Sequence, residues 1–113
     1  MKETIDFSDW GKLDVRVGEI IEVEEIEGAD KLYKLTVDFG DEIGKRTICA
    51  GIKEYISKEK LKGKKTIFLV NLASRKLRGI ESQGMILAAG SNGEDKFVLL
   101  EPNGDIPKGS KVS

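Results

Sequence analysis

A small all-β protein with one short helix is what this sequence predicts, and three observations predict it. Apolar residues recur at every second position in two stretches near the N-terminus, residues 13–23 and 33–39. Shorter apolar runs follow, bounded by the Gly, Asp and Asn residues that form turns. One segment, beginning at Ile52, instead carries apolar residues at helical spacing.

Phe7 and Trp10 flank Ser8 and Asp9 at a helix start, where a hydrophobic staple or a partner contact fits better than base stacking. Leu13, Val15, Val17, Ile21 and Val23 then share one phase against Asp14, Arg16, Glu22 and Glu24, which makes a long first strand. Gly18 and Glu19 interrupt it as a bulge or sharp bend would. Residues 27–30 supply a turn. Tyr33, Leu35, Val37 and Phe39 alternate with Lys34, Thr36 and Asp38 as a second strand. After a turn at Gly40 and Asp41, residues 46–50 read as a third. Ile52, Tyr55 and Ile56 fall at i, i+3 and i+4, predicting a short helix over about residues 53–60 that ends by Gly63. Residues 67–70 are apolar on both phases, as in a central strand; residues 85–89 form a fifth strand and 97–100 a sixth.

Three strands, a helix and two strands is the order of a five-stranded OB-fold barrel, whose long first strand bends to serve both sides. The expected architecture is therefore a single domain over residues 1–113. The barrel runs over about 12–91, with a short helix between strands three and four and additional C-terminal strands in an extension over about 92–113.

Composition narrows the function. At 113 residues the chain builds one core, and no apolar run approaches the roughly 20 residues that cross a bilayer. No signal-peptide pattern opens it, and a cytoplasmic location is expected. Cys49 is the single cysteine, a small strand residue more than a nucleophile, so neither a disulfide nor a cysteine-rich zinc site is available. There is no histidine, which removes the commonest general base and metal ligand. No phosphate loop, dinucleotide fingerprint or metal-ligand spacing is present. The expectation is a non-enzyme that needs no metal or cofactor.

Charge is unevenly placed. Residues 1–30 hold three Lys/Arg and ten Asp/Glu, residues 31–80 hold thirteen and five, and residues 81–113 hold three and five. Net charges of −7, +8 and −2 sum to −1. The middle block points to an anionic partner, with the acidic N-terminal segment rejecting non-productive contacts. Within that block, residues 72–82 connect strands four and five, where an OB barrel overhangs its binding face, and they carry Arg75, Lys76 and Arg78. Two strands thus present a basic loop in a slightly acidic protein.

The stretches Leu13-Asp14-Val15-Arg16-Val17-Gly18, Ala29-Asp30-Lys31-Leu32-Tyr33, Ala50-Gly51-Ile52, Asn71-Leu72 with Arg75-Lys76, and Arg78-Gly79-Ile80 through Ser82-Gln83-Gly84-Met85 resemble the tRNA-binding OB domain family. Such modules occur as the C-terminal domain or beta subunit of methionyl-tRNA synthetase, as free-standing tRNA-binding proteins, in cytokine-like domains and in CsaA chaperone-like proteins. The resemblance implies docking on the outer corner of tRNA, by shape and backbone. Arg75, Lys76 and Arg78 would then contact phosphates, joined by Lys31 at the start of strand two. Asn71 and Ser82 would offer neutral hydrogen bonds. Met85 would make a flexible apolar contact beside Gly84, where the backbone can be approached closely.

Each has a plainer reading. Asn71 can bridge backbone groups at the end of strand four, Ser82 can close its own loop, Met85 can be core, and Asp30 can close a turn. Tyr33 and Phe39 read as core more than as stacking platforms. At the level of the whole chain, a non-catalytic tRNA-binding module assisting a synthetase, of the methionyl type, competes with a CsaA-like chaperone or export-related peptide binder; no residue supports a cytokine-like role independently. The apolar tail after residue 96 either caps its own barrel or pairs with a second copy. The resemblance favours the pair, a homodimer that loses its interface when the chain is cut before Asn103.

Overall fold

The computed structural model describes residues 1–91 and 96–113; residues 92–95, where the expected C-terminal extension begins, lie outside the described residues. After a single helical turn, α1 (Phe7–Trp10), come β1 (Val15–Glu25), β2 (Tyr33–Asp38), β3 (Lys45–Ala50), α2 (Lys58–Leu61), β4 (Lys65–Leu69), β5 (Arg75–Leu77), β6 (Ile80–Ser82), β7 (Met85–Ile86), β8 (Ala88–Gly90), β9 (Phe97–Leu99) and β10 (Lys111–Val112). The main antiparallel sheet runs β3-β2-β1-β4-β7, with β10 also paired to β1. It curls into a nearly closed five-stranded barrel of the OB type.

β1 serves both sides of that barrel, as expected. Its first half pairs with β4, from Val15 opposite Leu69 to Glu19 opposite Lys65. Its second half pairs with β2, from Glu19 opposite Asp38 to Glu25 opposite Tyr33. The bulge lies two residues later than the glycine suggested, between Ile20 and Glu22. The extra residue flips the phase, so Ile20 is fully buried and Ile21 only half so. Gly18 instead makes room for β2, because a Cβ there would sit 2.6 Å from both Phe39 and Val37. Crossing strands can approach this closely only over a glycine.

The core holds Ile20, Tyr33, Leu35, Val37, Phe39, Ile48, Ile52, Leu61, Phe68 and Val70. Phe39 meets Phe68 edge to face with ring centroids 5.3 Å apart. Tyr33 and Phe39 are thus core residues. The helix is shorter and later than periodicity predicts. Ile52 anchors a turn, with Tyr55 and Ile56 donating their N–H groups to its carbonyl. The Ile56 carbonyl is then taken by the Tyr33 hydroxyl at 2.9 Å, and Ser57 is extended, so the helix starts only at Lys58. At the N-terminus, Phe7 is 83% exposed, so no hydrophobic staple forms.

The end of the chain caps its own barrel. Val112 lies opposite Val15, Gly109 N–H donates to the Val17 carbonyl, and Val17 N–H to the Ser110 carbonyl. Buried Arg16 seals this corner, with Nε on Asp14 at 2.6 Å, Nη1 on Glu42 at 3.0 Å and on the Gly109 carbonyl at 3.2 Å. Lys108 adds ion pairs to Asp38 at 2.9 Å and Glu19 at 3.4 Å. Removing the chain from Asn103 onward would therefore strip β10 and the Gly109 and Lys108 contacts from β1, uncapping the barrel.

Candidate functional site

The segment expected as a loop is a β-hairpin. Arg75 lies opposite Ser82, Lys76 opposite Glu81 and Leu77 opposite Ile80, joined by Arg78 and Gly79. These two have φ of 54° and 80°, the type I′ pattern whose twist matches that of the flanking strands. Glycine adopts this conformation freely, and Arg78 is the one non-glycine residue with positive φ among the described residues. The turn holds the Arg78 side chain at the hairpin's tip.

The hairpin's root is fastened to β3. Ser82 Oγ accepts the Cys49 N–H at 3.0 Å and donates to the Gly84 carbonyl at 3.4 Å. Gln83 N–H donates to the Thr47 carbonyl at 2.8 Å, and the Gln83 side chain accepts the Thr47 N–H at 3.2 Å. Arg46 donates to the Val70 carbonyl at 2.6 Å. The Ser82 and Gln83 bonds close the gap between β3 and the β6–β7 segment, and the Arg46 bond ties β3 to the end of β4. Gly84 fits the same seam at φ 139°, where a Cβ would lie 2.9 Å from the Leu69 carbonyl oxygen. It is buried, so what approaches its backbone closely is β4, not a ligand.

The expected contact residues separate accordingly. Ser82 is 3% exposed and its hydroxyl is engaged inside the protein, so it belongs to the scaffold. Asn71 is exposed, but its amide is engaged: Oδ1 accepts the Asp14 N–H at 2.8 Å and Nδ2 donates to the Lys12 carbonyl at 2.7 Å. It pins the incoming N-terminal segment to the end of β4. Met85 is 39% exposed, opposite Leu69. Arg75, Lys76, Arg78 and Lys31 are all exposed. Lys31 and Arg78, distant in sequence, line one depression of about 510 Å³ together with Ala29, Asp30, Leu32 and Gly51. Asp30, Leu32 and Gly51 were not expected as site residues. Their signal was their place in the stretches that carry the resemblance.

Electrostatics distinguishes this cluster from the chain's other cations. The acidic side chains of β1 neutralise much of the basic middle block: Glu25 pairs with Lys53 at 2.8 Å and Lys58 at 3.5 Å, Glu22 with Lys62 at 3.5 Å, and Glu24 with Lys34 at 3.7 Å. Lys64 and Lys65 pair with Glu101 and Asp105 at 3.1 and 3.5 Å. The Lys53 ammonium, with Lys58 beside it, holds the Glu25 carboxyl below its usual range. Among the described residues, no carboxylate lies within 4 Å of the charged groups of Lys31, Arg75, Lys76 or Arg78. Glu81, across from Lys76, is turned to the Ser74 hydroxyl at 2.8 Å. Glu22, Glu24 and Glu25 thus neutralise neighbouring lysines and leave the hairpin's charge available. Burial raises the Cys49 thiol's pKa, which disfavours the reactive thiolate. No group of three or more potential ligating His, Cys, Asp or Glu residues exists among the described residues, and no helix is long and apolar enough to cross a membrane.

Comparison with known proteins matches this geometry to a family. A family model described as "Putative tRNA binding domain" covers residues 15–111. The methionine–tRNA ligase of Caldanaerobacter subterraneus subsp. tengcongensis is 50% identical over an alignment of 115 positions that covers 99% of this chain but 17% of the ligase. The chain therefore spans less than a fifth of the curated relatives it matches. A MetRS-related protein from Pyrococcus horikoshii superposes with a TM-score of 0.91 at 40% identity, covering 99% of this chain and 100% of that one. The chaperone CsaA from Bacillus anthracis superposes with a TM-score of 0.86 at 31% identity, over 98% of this chain and 100% of that one.

Proposed function

Because this chain belongs to the tRNA-binding domain family, we propose that it is a non-catalytic module that binds tRNA by shape and backbone and assists an aminoacyl-tRNA synthetase of the methionyl type. The observation that carries this reading is the hairpin: Arg75, Lys76 and Arg78 stand free of carboxylates on a root tied to β3 by the Ser82 and Gln83 side chains and one backbone bond. A rigid arm of unpaired cations suits phosphates, which position a partner without reading its sequence. The ligase chemistry of the relatives lies in the part of those enzymes that this chain does not match. Its contribution would be affinity, supplied by tethering a second binding surface to a catalytic one.

The test is a titration of bulk tRNA across salt concentrations. Neutralising three to five phosphates gives a slope of log K against log salt on the order of −2 to −5. A slope near zero would remove the phosphate mechanism. Binding of an isolated anticodon stem-loop as tight as that of intact tRNA would remove recognition at the outer corner.

A CsaA-like peptide-binding role has one observation in its favour, the exposed apolar side chains Leu72, Met85, Val98 and Leu100. Unfolded peptide that competes with tRNA, and binds with little salt dependence, would select it. The same side chains suit self-association. A homodimer built on the exposed Val98 and Leu100 would sediment at twice the 12.5 kDa chain mass, and a 12.5 kDa species at micromolar concentration would overturn it.

A further inference from the structure

One anion stands in the site where a polyanion is proposed to bind. Asp30 lines the same depression as Lys31 and Arg78, yet it does not close the adjoining turn. That turn is held by Ala29 N–H on the Ile26 carbonyl at 3.0 Å and by Gly28 at φ 78°. Among the described residues the Asp30 carboxylate accepts no hydrogen bond and forms no ion pair; Lys53, the cation whose charged form it favours through space, is itself paired with Glu25 at 2.8 Å. An exposed carboxylate facing phosphates weakens binding unless it accepts a hydrogen bond from the partner, because like charges repel through a poorly screened gap.

The rest of the depression is apolar or open backbone, from Ala29, Leu32 and Gly51. A Cβ on Gly51 would come no nearer than 4.0 Å to Leu32 and Lys31, so this wall leaves room for a flat group. Its volume of about 510 Å³ falls within the roughly 300–1,000 Å³ of small-ligand sites. Two cations, an acceptor-only carboxylate and an apolar wall match the parts of one ribonucleotide: phosphate, hydroxyl donor and base face. A 2′-hydroxyl can donate to a carboxylate, and deoxyribose has none to offer.

We propose that this depression is a socket for a single unstacked ribonucleotide, with its phosphate held between Lys31 and Arg78 and its 2′-hydroxyl donated to Asp30. Asp30 would be the residue that distinguishes RNA from DNA. The socket rests on the tRNA-binding reading and deepens it.

The experiment is an amide chemical-shift titration of the full chain with 5′-ribonucleoside monophosphates and their 2′-deoxy counterparts, alongside tRNA binding. Ribonucleotides are expected to shift the amides of residues 29–32, 51 and 78 and to bind at least fivefold tighter than the deoxy forms. Asp30→Ala, which removes the acceptor, should erase most of that preference, and Lys31→Ala with Arg78→Ala should abolish binding of both sugars. Equal affinity for the two sugars would overturn the 2′-hydroxyl contact, as would a preference set by the base alone. So would an Asp30→Ala variant that simply binds everything tighter with its ribose preference intact. If tRNA binds while mononucleotides leave these amides unmoved, the socket fails and the tRNA-binding reading stands. If tRNA does not bind at all, both fall.

Discussion

The Ser82 hydroxyl accepts the Cys49 backbone N–H at 3.0 Å, so one side chain ties the root of the basic hairpin to the edge of β3. Closing a barrel leaves no free edge, yet here the last gap is spanned by side chains where strand pairing would otherwise run. Ser82→Ala would leave a buried N–H without its acceptor, at a cost of about 1–3 kcal/mol. The midpoint of thermal unfolding should fall, by roughly 4–8 °C for each kcal/mol in a domain near this size. Affinity for tRNA measured well below that midpoint should stay within about twofold. A tenfold loss of affinity with an unchanged midpoint would return Ser82 to the contact surface.

Replacing Arg75, Lys76 and Arg78 together by Glu should abolish tRNA binding. Exposed substitutions shift stability by less than about 0.5 kcal/mol each, so the fold should persist. The control is charge reversal at Lys58 and Lys62, whose charges Glu25 and Glu22 already offset. That variant should bind nearly as the parent does. Retained binding in the triple variant, with loss in the control, would move the site to α2.

Arg78→Asn separates charge from turn geometry. Asn-Gly is the preferred type I′ pair, and the left-handed conformation costs an ordinary residue on the order of 1 kcal/mol. The variant should be as stable as the parent or more so in urea, yet bind tRNA more weakly by one cation. The salt slope should become shallower by about 0.7–0.9. An unchanged slope would show that Arg78 meets no phosphate.

Acid should loosen the corner where the tail meets β2. Lys108, and after it the Gly40 N–H, hold the Asp38 carboxyl below its usual pKa of about 4. A carboxylate whose folded pKa is depressed binds protons more tightly in the unfolded chain. Its stabilising effect is complete above the unfolded value and is lost as pH falls through the folded one. Glu42, held down by Arg16, acts in the same direction. Stability should therefore decline below about pH 4, and Lys108→Gln should flatten that decline. An equal decline in parent and variant would remove Lys108 from the linkage.

Thr66→Val tests the barrel's interior. Thr66 is fully buried on β4 opposite Gly18, and its hydroxyl finds no hydrogen-bond partner among the described residues. Removing an unsatisfied buried hydroxyl at nearly constant shape relieves a desolvation penalty of about 1–3 kcal/mol. The variant should unfold at higher urea. A lower midpoint would mean that the hydroxyl is satisfied in solution.

Local chemistry determined much by itself. Alternation at Val15, Val17, Leu35, Val37 and Phe39 marks the barrel strands because a pleated strand repeats every two residues. The order of elements, the core role of Tyr33 and the basic character of residues 75–78 could be read in the same way. The tertiary structure alone decided whatever depends on residues distant in sequence. Ile20 replaces Ile21 in the core because the bulge is set by pairing with β2, and the helix is trimmed because Tyr33 claims the Ile56 carbonyl. Ser82 passes from contact to scaffold because β3 lies beside it. Above all, a charge count cannot say which cations are free. β1 carries its carboxylates to Lys34, Lys53, Lys58 and Lys62, and none to the hairpin. Coulomb pairing acts through space over a few ångströms, so only the folded chain decides which lysines and arginines keep their charge for a partner.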